Sequence, residues 1–239
     1  GHQGGAVAAG MAVEALRRLG ATPHPDALRA TLESANREIR EAAAGAPDRA
    51  GMGTTATAGL LEDGRLHLAH VGDSRAYLLR DGALTQLTDD HSVVGELVRS
   101  GGLTPEEAKG HPNRNVITRA LGAQAEVRID TVDLELRPGD VVMLCTDGLT
   151  GYVDDEGIAR LVGGSASLED AAQALVAAAN AAGGADNITV VLARVDTVTD
   201  EAPPVPEAAV TVTDAPAVTV VDGPPVTLTD EAAPHVADG

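Results

Sequence analysis

Asp140-Val-Val-Met-Leu-Cys-Thr-Asp-Gly-Leu149 carries the reading of the fold. Val141 to Leu144 form an apolar run that reads as a strand, and Asp147 stands directly behind it, beside Gly148. A carboxylate at the end of a buried strand is costly unless something neutralises it. Two more aspartates share this setting: Asp73 in Val71-Gly-Asp-Ser-Arg75, and Asp186 in Gly183-Gly-Ala-Asp-Asn-Ile-Thr189, just ahead of the last apolar run. Hard cations such as Mg²⁺ or Mn²⁺ neutralise such groups through oxygen ligands. A neighbouring glycine lets backbone and water come close. Each motif alone reads equally well as an ordinary turn; together Asp73, Asp147 and Asp186 form a candidate metal set.

Working outward, helical periodicity covers residues 5–20, through Val7, Met11, Leu16 and Leu19, and residues 25–44, through Leu28, Leu32, Ala35 and Ile39. Thr54–Leu61, Leu66–Val71 and Arg75–Leu79 follow as predicted strands of an antiparallel meander, with a turn at Glu62-Asp63-Gly64. Residues 91–126 lose the strand pattern and hold short helices at Val93–Ser100 and Pro105–Lys109. Strands return at Val127–Leu136, Asp140–Thr146 and Ile188–Val195. Helices are expected at 154–162 and 167–182, the second capped by Ser167 with Asp170 three residues on. Paired strands with helices between the blocks argue for an α+β layered domain and against a doubly wound sheet.

The chain of 239 residues is long enough for a proper core, yet it has no Phe and no Trp. Packing must come from Val, Leu, Ile and Ala. The formal net charge of −19 disfavours a nucleic-acid or anionic-membrane partner. Cys145 is the sole cysteine, so no internal disulfide exists, and a reducing cytoplasmic setting is the expectation. No stretch approaches the ~18 apolar residues of a membrane span. Residues 197–239 change character: Pro, Thr, Val, Ala and acids, no Lys or Arg, and a loose Thr-x-x-Asp repeat at Thr197, Thr211, Thr219 and Thr227. This tail is expected to be a disordered, solvated linker.

Taken in order, Gly1-His-Gln-Gly-Gly, Gly51-Met-Gly-Thr-Thr55, Val71-Gly-Asp-Ser-Arg-Ala-Tyr77, Asp89-Asp-His-Ser92, Arg119-Ala-Leu-Gly122, Cys145-Thr-Asp-Gly-Leu149 and Asp186-Asn-Ile-Thr189 resemble the motifs of the bacterial type 2C metal-dependent serine/threonine protein phosphatases, the PPM family. The resemblance covers residues 1–196 and leaves 197–239 outside it. It implies a four-layer α-β-β-α sandwich of two mainly antiparallel sheets. It also implies a Mg²⁺ or Mn²⁺ centre at one end, with two ions and, as in some bacterial members, a third. By motif position Asp147 and Asp186 resemble ligands of the paired ions, and Asp147 and Asp73 those of the third. Asp90 lies in a family motif without an assigned ligand role. Residues 91–121 resemble the flap that bears on substrate choice, which makes Arg114 and Arg119 candidates for an anionic phosphopeptide, with pairing to local acids the alternative.

The implied reaction is hydrolysis of phosphoserine and phosphothreonine on proteins by a metal-activated water, opposing bacterial serine/threonine kinases. No protein nucleophile is needed, and Cys145 is expected to be strand packing. The chain is expected to be a cytoplasmic monomer without nucleic-acid or membrane contact of its own. The first motif is cut at Gly1, so the expectation is of a chain without the family's preceding strands and with weak or no activity. The alternatives are a catalytically dead binding or regulatory module of the same fold, and a phosphatase of an anti-sigma-factor antagonist. Among smaller signals, His67 and His70 sit on opposite faces of a strand, which argues against a zinc site with Asp73. His91 is expected to hold its loop, Arg75 to be structural, and His2 to lie in a loose terminus.

Overall fold

The computed structural model describes residues 3–19, 25–184, 186–196 and 218–221. Helices α1 (Gln3–Arg17) and α2 (Pro25–Ala44) lead into the hairpin β1 (Ala56–Glu62) and β2 (Arg65–Val71). Strand β3 (Arg75–Arg80) and β4 (Ala83–Gln86) form a second hairpin, followed by the short helices α3 (Val93–Arg99) and α4 (Pro105–Lys109). Then come β5 (Asp130–Glu135), β6 (Val141–Cys145), the single turn α5 (Asp147–Thr150), α6 (Asp155–Gly164), α7 (Leu168–Ala181), β7 (Val190–Arg194) and β8 (Val218–Val221). One sheet has the order β1-β2-β5, the other β4-β3-β6-β7-β8.

Two-residue periodicity builds the layers. In β3, Tyr77 and Leu79 face one way and Ala76 and Leu78 the other; in β6, Val141, Met143 and Cys145 oppose Val142. The first set packs under α6 and α7 through Ile158, Ala171, Ala172 and Leu175. The second meets Leu66 and Leu68 of β2 across the sandwich. The other face of β2, Ala69 and Val71, packs under α1 and α2 with Ala8, Leu32, Ala35 and Ile39. The result is helices, sheet, sheet, helices, as expected. With no Phe or Trp, the interfaces rely on branched aliphatics and on alanines, whose small side chains let the helices lie close to the sheets. Ser167 caps α7 as predicted, its hydroxyl accepting from the Asp170 N–H at 3.0 Å.

Four expectations need correction. The first three strands are not one meander: Gly72-Asp73-Ser74 carries the chain from one sheet into the other, and β3 pairs with β4 and β6 instead of β2. Gly72 adopts φ +118°, a conformation that suits glycine, and a Cβ there would stand 2.3 Å from Thr55 Cγ2. Strand β4 and turn α5 were not anticipated. The predicted strand over 127–136 is shorter, Asp130–Glu135. Finally, within the expected tail Val218–Val221 pairs parallel to β7, where an open sheet edge accepts a β-branched segment. The rest of 197–239, including most of its repeats, and His2 lie outside the described residues.

Candidate metal centre

Strand register places the three predicted aspartates beyond the same end of the central strands of the larger sheet. Arg75 of β3 pairs with Cys145 of β6, so Asp73 and Asp147 each lie two residues beyond the same rung. Cys145 also pairs with Val190 of β7, which brings the loop holding Asp186 to that edge. Thr146 fastens β6 to this loop: its hydroxyl donates to the Asn187 carbonyl at 3.1 Å and accepts from the Thr189 N–H at 3.0 Å, while its own N–H reaches Thr189 O at 3.1 Å. Gly148 permits the approach, because a Cβ there would stand 2.3 Å from the Asn187 carbonyl oxygen.

The electrostatics follow from this placement. Burial, and then the charge of Asp147, push the Asp73 carboxyl up to about 6. Burial and then Asp186 raise Asp147. Among the described residues neither Asp73 nor Asp147 has an ion pair with a base. The guanidinium that acts on Asp73, Arg75, is held elsewhere: it grips both oxygens of Asp90 at 2.8 Å and donates to the Tyr77 hydroxyl at 3.0 Å, which in turn donates to Asp155 at 3.2 Å. Arg75 and Asp90 therefore brace the turn, and Asp90 is committed to that pair.

These donors suit a hard divalent cation in kind: anionic oxygens, partly desolvated at Asp73 and Asp147 and exposed at Asp186. Each raised carboxyl is repelled by the next aspartate and, among the described residues, neither Asp73 nor Asp147 has an ion pair to a base. They do not form a finished shell. Among the described residues no three His, Cys, Asp or Glu side chains close up into a group able to hold a metal ion. The structure brings Asp73 toward Asp147 and Asp147 toward Asp186; further oxygens must complete any coordination sphere.

The other expectations divide. Arg114 is exposed and has no ion pair among the described residues. Arg119 is taken by Asp130 at 2.8 Å, so the local pairing holds for it. His67 pairs with Asp133, whereas His70 is buried with Nε2 on the Asp89 carbonyl at 3.0 Å, so the two histidines part as the strand geometry required. Cys145 is buried and its thiol is pushed up to about 12 by burial, which suits packing and not catalysis. His91 does more than hold a loop: it is 1% exposed and bonds Gly72 and Asp130. Asp130 escaped the sequence reading because no local pattern links it to residue 91.

Residues 17–188 match the protein phosphatase 2C family. The serine/threonine phosphatase stp of Listeria monocytogenes is 39% identical over 204 residues, which span 82% of this chain and 81% of that protein. The crystal structure of the Mycobacterium tuberculosis serine/threonine phosphatase PstP/Ppp superposes with a TM-score of 0.75 at 41% identity, covering 80% of this chain and 82% of that one. A structure of the PstP catalytic domain in complex with two manganese ions gives 0.72 at 39% identity, over 80% and 81% of the two chains. A two-sheet sandwich that gathers carboxylates at one end, and matches these proteins over most of its length, defines a protein serine/threonine phosphatase. The chain belongs to the protein phosphatase 2C family, among its bacterial members. Metal dependence comes with that family.

Proposed function

We propose that Asp73, Asp147 and Asp186 hold Mg²⁺ or Mn²⁺ in a centre of two ions, with a third at Asp73 and Asp147, and that the chain hydrolyses phosphoserine and phosphothreonine on proteins. The observation that supports this most is the placement of Asp73, Asp147 and Asp186 at the same end of the paired strands β3, β6 and β7. There Asp147 raises the Asp73 carboxyl, Asp186 raises that of Asp147, and among the described residues neither Asp73 nor Asp147 has an ion pair with a base. When bound, such cations lower the pKa of a water and offset charge on the phosphoryl oxygens. The chain's own part is to hold the donors. Thr146 and Gly148 keep Asp147 against the Asp186 loop, and the Arg75–Asp90 pair keeps the Asp73 turn in place. Arg114, exposed on the 91–121 segment, offers a charge to an anionic phosphopeptide, while Arg119 serves that segment from its base.

On this reading residues 1–196 form the catalytic domain and 197–239 an acidic segment of which Val218–Val221 adds a strand to the larger sheet. The phosphorylated partners include bacterial serine/threonine kinases, and the enzyme works as a cytoplasmic monomer. Among the described residues no helix is long and apolar enough to cross a membrane. The test is titration of metal-stripped protein with Mn²⁺ by calorimetry, paired with phosphate release from a phosphothreonine peptide. Saturable Mn²⁺ binding is expected, with phosphate release by this chain weak at most. Binding that is unchanged in Asp147→Asn would overturn the assignment.

A further inference from the structure

Gly72 and His91 are joined twice. The His91 N–H donates to the Gly72 carbonyl at 2.7 Å, and the Gly72 N–H donates to His91 Nδ1 at 3.0 Å. A backbone N–H can only donate, so Nδ1 must be the unprotonated acceptor. The ring proton then sits on Nε2 and is donated to Asp130 Oδ2 at 3.0 Å. The other oxygen of Asp130, Oδ1, accepts from Arg119 at 2.8 Å and lies 3.2 Å from Arg128 Nε. One face of the ring is covered by His70, with centroids 4.7 Å apart. The same stretch closes the base of the 91–121 segment: Thr118 N–H donates to His91 O at 2.8 Å and Val93 N–H to Val116 O at 2.9 Å. Asp73 follows Gly72 directly in the chain.

The geometry points to His91 as a positioning residue that fixes the Gly72–Asp73 turn and couples it, through Asp130 and Arg119, to the base of the 91–121 segment. It rests on the reading of Asp73 as a metal donor given above. His91 touches neither substrate nor cation; it sets where the Asp73 backbone begins. The Gly72 conformation at φ +118° has little room, since Thr55 fills the space a side chain would need. The imidazole therefore selects one of few positions for the turn. Outer-shell partners of this kind commonly govern metal affinity. Because coupling between two sites is reciprocal, a phosphopeptide engaged by the 91–121 segment and a cation at Asp73 would each tighten the other.

Two isosteric changes separate the two bonds. His91→Asn keeps an oxygen where Nδ1 stood and loses the reach to Asp130. His91→Gln keeps an amide where Nε2 stood and loses the acceptor for Gly72. Amide hydrogen exchange of Gly72 in metal-free protein should be fast in His91→Gln and close to wild type in His91→Asn. Mn²⁺ binding should weaken about 10-fold or more in His91→Gln, and clearly less in His91→Asn. Asp130→Ala, which frees the ring from its far side, should also speed Gly72 exchange, and serves where a His91 variant is too unstable to assay. Equal Gly72 exchange in all three variants and wild type overturns the positioning role. Equal Mn²⁺ affinity in both His91 variants overturns it as well, provided Asp147→Asn abolishes binding. If Asp147→Asn binds Mn²⁺ like wild type, the metal assignment has failed instead, and the exchange result alone decides the positioning role.

Discussion

Strands β3 and β6 run between two ends that treat carboxylates in opposite ways. At one end Asp140 is 2% exposed and Arg80 grips it through Nε at 2.9 Å and a terminal nitrogen at 2.6 Å. The Arg137 N–H adds a third bond at 2.7 Å. That hydrogen bonding holds the Asp140 carboxyl below its ordinary range. At the other end, Asp73 is half-buried and Asp147 more exposed, and neither has an ion pair with a base among the described residues. Desolvation raises both carboxyls, with Asp147 adding to the rise at Asp73 and Asp186 to the rise at Asp147. The first arrangement closes a structure. The second leaves negative charge unspent, at a cost to the fold that only an external cation would offset.

The sharpest way to break this contrast is to remove a carboxylate from each end. Asp147→Asn should lower Mn²⁺ affinity by at least about 100-fold, beyond what loss of an outer-shell partner costs, without lowering the thermal midpoint of the metal-free protein. Asp140→Ala should leave Mn²⁺ affinity alone and reduce stability, by about 1–3 kcal/mol from the Arg137 N–H left without its acceptor. Calorimetric Mn²⁺ titration and urea denaturation of both variants check the pair. Metal affinity that fell alike in the two would mean that the ends are not functionally distinct.

A gentler contrast uses glycines. Gly148→Ala drives a methyl toward the Asn187 carbonyl, 2.3 Å from the ideal Cβ position, and should cost about 1–3 kcal/mol by overpacking while parting Asp147 from the Asp186 loop. Gly139→Ala, at φ +91° with open space around it, should cost a similar amount, about 1–3 kcal/mol, through backbone strain alone. Of two equally destabilised proteins, only the first should show weakened Mn²⁺ binding.

How much of this was legible in the sequence depends on range. The layered α+β class, the helices and the position of the aspartates at strand ends follow from local periodicity. The β4 hairpin was also within reach: Asp81-Gly82 is a strong two-residue turn signal, and both residues adopt positive φ, 52° and 79°. Ala83-Leu-Thr-Gln86 masks it by being short and half polar. The crossing between sheets at Gly72-Asp73-Ser74 is different in kind. Three residues between two strands suit a hairpin equally well, and only the pairing of β3 with the distant β6 decides otherwise. The same holds for Arg75, whose partner is Asp90 and not its neighbour Asp73, and for the link from His91 to Asp130. Local pattern carries secondary structure and candidate donors; the partners that orient them come from tertiary pairing.

The smallest expected effect concerns acid. A carboxyl raised from 3.8 to about 6 in the folded protein binds a proton there that the unfolded chain has released. Asp73 thus favours the metal-free fold at low pH, and that contribution disappears as pH rises through about 6. His70 acts in the opposite sense: burial, with the neighbouring His91, lowers it from 6.5 to about 4, so its contribution is complete above 6.5 and is lost as pH falls toward about 4. The two partly cancel in the wild type. Asp73→Asn should uncover the histidine, giving a metal-free protein whose urea midpoint climbs more steeply between pH 4 and 7 than the wild type's, with the gap opening toward about 6. Saturating Mn²⁺ should erase the wild-type part of that difference by binding the ionised carboxylate. Parallel profiles for the two metal-free proteins would show that Asp73 ionises freely, and that its end of the sheet stores no more charge repulsion than the end closed by Arg80.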